Sequence, residues 1–141
     1  MNPLTAPAID PTSIFEIFRG VYGSQLLTAA IAHFDVFGRL ARQPRSRAEL
    51  QQDLGLEERP VTVLTTALRA MGLLQMTPTG SLELTPVAAE HLVPGGEFDV
   101  SNYVSLSANS TGVLEMVARL KSNEPAGLSD DGDGAAFIYR D

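Results

Sequence analysis

The chain has 141 residues, a net charge of −7, 44% hydrophobic residues and no cysteine. That length suits one domain with its own core, and the lack of cysteine excludes disulfides, thiolate metal sites and a cysteine nucleophile. The sequence pI of about 4.7 disfavours a nucleic-acid partner, and a mean hydropathy of +0.04 implies more apolar face than one small core hides, so a second subunit or domain is expected to cover the rest.

Residues 1–10 read as a disordered lead-in; Met1 to Ile9 carry neither the basic nor the apolar region of a signal peptide. Asp10-Pro11 is a helix start, with Asp10 accepting from free N–H groups and Pro11 at the first helical position. Ile14, Phe15, Ile17, Phe18, Val21, Tyr22, Leu26, Ala29, Ala30, Ile31 and Phe34 then recur at helical spacing. Gly20 and Gly23 interrupt them, marking either a break into two helices or a close approach of another helix. The uncharged stretch from Gly20 to Phe34 is too short to span a bilayer and contains Ser24, Gln25 and Thr28, so a soluble, cytoplasmic protein is expected.

Asp35 restarts a short helix with Val36, Phe37 and Leu40. Ser46-Arg47-Ala48-Glu49 is a capping box, and Gly55 stops the helix it opens, Arg47 to Leu54. A second helix runs from about Glu57 to Met71, with Val61, Leu64, Leu68 and Met71 on one stripe and Gly72 after it. Leu73 to Thr77 and Leu82 to Thr85, joined at Pro78-Thr79-Gly80-Ser81, predict a β-hairpin. Thr85-Pro86 caps another helix, closed by Val93-Pro94-Gly95-Gly96, and residues 99–121 predict one or two more. The fold class is therefore mainly α: a winged helix, with helix-turn-helix plus hairpin and added N- and C-terminal helices. It occupies residues 11–121, and 122–141 is an acidic loop and a connection onward. The ending on Phe137, Ile138 and Tyr139 reads as a cut.

Four stretches in this order resemble one family: LLTAAIAHFDVFGRL (Leu26 to Leu40), AELQQDLGL, LTTALRAMGLL, and the hairpin closing on LELTPVA. They are similar to the N-terminal dimerisation domain of S-adenosylmethionine-dependent small-molecule O-methyltransferases of the plant and antibiotic-pathway type. KSNEPAG and AAFIYRD resemble the stretch ahead of that family's catalytic domain. The resemblance implies an intertwined homodimer whose domain roofs the active site and shapes a pocket for a small acceptor. It also implies S-adenosylmethionine in a catalytic domain that follows. In this chain no glycine-rich turn follows a predicted strand: Gly95-Gly96 follows a helix, and Gly132-Asp133-Gly134 lies in an acidic loop. Hence no catalytic and no cofactor-binding residue is assigned here, and the chain alone is expected to be inactive.

Phe15, Phe18, Tyr22, Tyr103 and Met116 are the candidates for lining an acceptor pocket, since aromatic rings and thioethers suit a planar ligand; plain core or dimer packing accounts for each as well. Asn102 and Asn109 are polar candidates beside them. His33 and His91 sit late in helices, where a cation suits the dipole, and lack an evident orienting partner for catalysis. Asp130, Asp131 and Asp133 lack the ligand spacing and closing glutamate of a calcium loop, so no metal is expected. Arg39, Arg42, Arg45 and Arg47 form the one basic run, but the helix in the recognition position opens with Glu57 and Glu58, which repel phosphate. On the residues alone, a dimeric DNA-binding regulator and a stand-alone dimeric ligand-binding module remain open.

Overall fold

The computed structural model describes residues 4–20 and 23–124. Eight α-helices and one hairpin follow in order among them: α1 (Thr12–Arg19), α2 (Ser24–Ala32), α3 (Val36–Arg42), α4 (Arg47–Leu54), α5 (Glu58–Ala70), β1 (Leu74–Met76), β2 (Leu82–Leu84), α6 (Pro86–His91), α7 (Ser101–Val104) and α8 (Thr111–Ser122). A 3-10 turn, Ser105–Ser107, joins the last two. The molecule is a mainly helical winged helix, as expected.

Asp10 opens α1: its Oδ1 accepts from the Thr12 amide at 2.9 Å and the Thr12 hydroxyl at 2.6 Å. Pro11 takes the N-cap place, one residue before the position expected for it. Both readings of the glycine pair hold. Gly20 ends α1 in an extended conformation, and Gly23 opens α2 at φ +85°, where a Cβ would stand 2.7 Å from Met71 Cε. Only glycine meets both demands without strain.

The capping box of α4 forms as read: the Glu49 amide donates to Ser46 Oγ at 3.1 Å, and the Ser46 amide donates to Glu49 Oε1 at 3.2 Å. The hairpin pairs Leu74 with Leu84, Gln75 with Glu83 and Met76 with Leu82. Arg45 adds an antiparallel bridge to Leu82, its amide donating to the Leu82 carbonyl at 3.1 Å and its carbonyl accepting at 2.6 Å. This third edge ties the segment before α4 to the wing. Thr85 departs from expectation: its hydroxyl donates to the Gly72 carbonyl at 2.7 Å and does not cap α6. The bond to the carbonyl just beyond α5 orients the Thr85 side chain toward Gly72.

The core runs through the centre of this arrangement. Leu27, Phe37, Leu50, Leu64, Leu68, Leu73, Leu82 and Leu92 are almost wholly buried. Each contributes about 1.5–3 kcal/mol relative to exposure. Helix α2 lies at the middle, against α1, α3, α5, α7 and α8. Residues 99–121 resolve into α7, the 3-10 turn and α8, the break falling at Ala108 to Ser110. Asn123, at φ +56°, ends α8 and donates from Nδ2 to Glu57 Oε2 at 2.6 Å, fastening the close of α8 to the start of α5. Among the described residues no helix is long and apolar enough to cross a membrane.

Candidate functional site

Helix α1 has two faces. Ile14 is fully buried in the core. Phe15 and Phe18, three residues apart, share another side of the helix. Both rings stand edge-on to Tyr103 from α7: the Phe15 centroid lies 5.7 Å away at 73°, and the Phe18 centroid 5.8 Å away at 65°. These are the geometries that ring quadrupoles favour. Tyr103 remains 53% exposed, so the trio faces outward and is no part of the deep core. Phe15, Tyr103 and Arg19 line an open hollow of about 400 Å³. The hollow presents aromatic edges and one cation.

Three of the five pocket candidates thus come together. Met116 does not join them; it lines a separate cleft between α5 and α8, with Arg59, Pro60, Val63 and Arg119 among its neighbours. Tyr22 lies outside the described residues, as do Asp130, Asp131 and Asp133. Asn102 and Asn109 are exposed.

Both histidines are engaged with backbone. His33 Nε2 is 2.8 Å from the Ala108 carbonyl, joining the end of α2 to the turn before α8. His91 is buried, with Nδ1 3.0 Å from the Phe98 carbonyl and Nε2 2.5 Å from the Ile9 carbonyl. Beside it, the Glu90 carboxylate accepts from the amides of Ala8 at 2.8 Å and Ile9 at 2.9 Å. This strap across α6 has no signature in the sequence, because its two halves are some 80 residues apart.

The basic run is partly consumed by the fold. Arg39 donates from Nε to the Phe34 carbonyl at 2.9 Å. Arg45 pairs with Glu49 and Asp53, each at 3.4 Å. Arg42 and Arg47 are the two left exposed. Among the described residues no three histidine or acidic side chains group as a metal site. The sheet has two antiparallel strands, and β2 enters α6 through Thr85-Pro86. A proline there removes an amide from the helix start where a glycine-rich turn would present several.

No family model matches the chain. It is 34% identical over 129 residues to a 3-hydroxy-5-methyl-1-naphthoate 3-O-methyltransferase from Streptomyces sahachiroi, a match spanning 90% of this chain and 37% of that protein. It resembles the crystal structure of an O-methyltransferase family 2 protein from Planctomyces limnophilus in complex with apigenin, at 44% identity and a TM-score of 0.71, over 96% of this chain and 39% of that one. An N,N-8-amino-8-demethyl-D-riboflavin dimethyltransferase from Streptomyces davawensis, 20% identical with a TM-score of 0.57 over 94% of this chain and 40% of that one, shares the fold. The chain therefore spans about two fifths of the length of the relatives it matches. What it matches is the N-terminal dimerisation domain of O-methyltransferases of the plant and antibiotic-pathway type.

Proposed function

We propose that this chain is the dimerisation and acceptor-lid domain of an S-adenosylmethionine-dependent O-methyltransferase acting on a small aromatic or polyketide-like molecule. The observation that carries the reading is the outward-facing trio of Phe15, Phe18 and Tyr103, set on a domain similar to that of O-methyltransferases. S-adenosylmethionine, when bound, would supply the methyl group: the O–CH3 bond would form as the S–CH3 bond breaks, leaving a neutral thioether, with the acceptor proton passing to a base, so charge would be dispersed. Excluding water from that encounter favours it. The rings of the trio would hold the flat face or edge of the acceptor and shed water from it. S-adenosylmethionine and the general base belong, on this reading, to a catalytic domain outside the present sequence, so this chain alone does not transfer methyl groups.

Apolar surface left uncovered supports a homodimer. Leu106 and Leu114 are exposed at 81% and 45%, and a twin would bury such side chains. A cysteine-free, acidic chain without a membrane-crossing helix among the described residues suits the cytoplasm.

A chimera tests the reading. The stretch of the Streptomyces sahachiroi enzyme matched by this chain is replaced with the present sequence, and methyl transfer to 3-hydroxy-5-methyl-1-naphthoate is followed with labelled donor. Turnover by the chimera, and none by this chain alone, is expected. A folded chimera without turnover, or turnover by the chain alone, overturns the proposal.

A further inference from the structure

The cleft between α5 and α8 is distinct from the aromatic trio and carries its own chemistry. It encloses about 480 Å³; Pro60, Val63, Met116 and Leu120 form apolar walls, and Asn123 and the acidic Glu124 also line it. Arg59, in the first turn of α5, and Arg119, in the last turns of α8, also line it. Arg119 Nε is buried and has no hydrogen-bond partner among the described residues. A buried N–H of a charged group left without an acceptor is costly, and native structures almost always supply one.

The surrounding acids do not supply it. No carboxylate of the described residues lies within 4.0 Å of Arg59 or Arg119. Glu57, at the neighbouring rim, receives the Asn123 amide. A guanidinium fork matches a planar carboxylate better than any other small acceptor, and the apolar walls suit a hydrocarbon or aromatic body attached to it.

We infer that the cleft between α5 and α8 binds a small organic acid, its carboxylate held by Arg119 and Arg59 and its apolar body lying against Val63, Met116 and Leu120. The inference is independent of the lid reading, since it uses none of the trio. Two sources share this chemistry: a free organic acid, and a carboxylate from residues 125–141 of the same chain, which include Asp130, Asp131 and Asp133.

The test is titration of the purified full chain with 1-naphthoate, followed by NMR of the methyl groups of Val63, Met116 and Leu120, with 1-naphthalenemethanol as the uncharged control. Saturable shifts with naphthoate are expected, weakened about tenfold or more in Arg119→Gln and in the exposed-site variant Arg59→Gln, and absent with the alcohol. The same titration is run on a chain carrying Asp130→Asn, Asp131→Asn and Asp133→Asn. Naphthoate binding to that variant alone means that the tail is the native occupant and overturns the free-acid inference. So does equal binding of acid and alcohol, or the lack of saturable binding in both chains.

Discussion

Phe15 meets Tyr103 edge-on at 5.7 Å, and this contact joins the first helix of the fold to the short α7, far along the chain. The same tyrosine receives Phe18, so one exposed ring fixes how α1 presents its outer face. Removing it with Tyr103→Ala is expected to lower stability by about 1–2 kcal/mol, since each aromatic pair is worth about 0.5–1.5 kcal/mol beyond burial. Tyr103→Phe keeps both ring contacts and is expected to stay within about 0.5 kcal/mol of the parent. Urea unfolding of the two variants checks this, and equal losses in both would show that the hydroxyl, not the ring, holds α7.

The capping box of α4 makes a prediction about acid. Hydrogen bonds from the Ser46 amide, and then with its hydroxyl, hold the Glu49 carboxyl below the ordinary glutamate range. A carboxyl lowered in the folded state stabilises the fold above its unfolded value, and that contribution is lost as pH falls through the lowered value. Glu49→Gln keeps the size of the side chain and removes the titrating group, so it is expected to be less stable than the parent at neutral pH, where the carboxylate is charged. Urea midpoints measured from neutral pH down through the glutamate range should then converge for parent and variant. A gap that stays constant into acid would contradict the linkage.

The strap over α6 is testable by hydrogen exchange. Glu90 accepts from the Ala8 and Ile9 amides, and no other acceptor for them is present among the described residues. Glu90→Ala is expected to speed exchange at these two amides by about tenfold or more while leaving core amides of α2 unchanged. Unaltered exchange at Ala8 and Ile9 would show that the strap is not formed in solution.

Gly23 combines a left-handed backbone with the approach of Met71. Gly23→Ala is expected to destabilise by about 1–2 kcal/mol through the backbone alone. Adding Met71→Ala removes the close contact but not the backbone strain, so the double variant should not recover the loss on thermal melting. Full recovery would assign the cost to packing.

Much of this architecture was legible because its causes are local. Ser46 and Glu49 are three residues apart, Gly55 needs only its own φ, and the turn at Pro78 to Ser81 is set by its own residues. The stripe of Val61, Leu64 and Leu68 is buried as its spacing implies. What was not legible depends on distant chain. Thr85 carries a capping pattern, yet it makes no cap and donates to the distant Gly72 carbonyl. Arg45 completes the wing only because Leu82 returns beside it. Phe15 and Phe18 share a face by spacing, whereas the arrival of Tyr103 depends on the path of α7. Met116 has the same chemistry as the other pocket candidates, but its face of α8 turns it toward α5 and the arginine cleft.

The central claim is that this domain pairs with its twin and presents the trio to an acceptor. The most direct measurement is the mass of the purified chain by light scattering during size exclusion across the micromolar range. The account predicts twice the 15.1 kDa of one chain. A mass of 15.1 kDa at every concentration would contradict it.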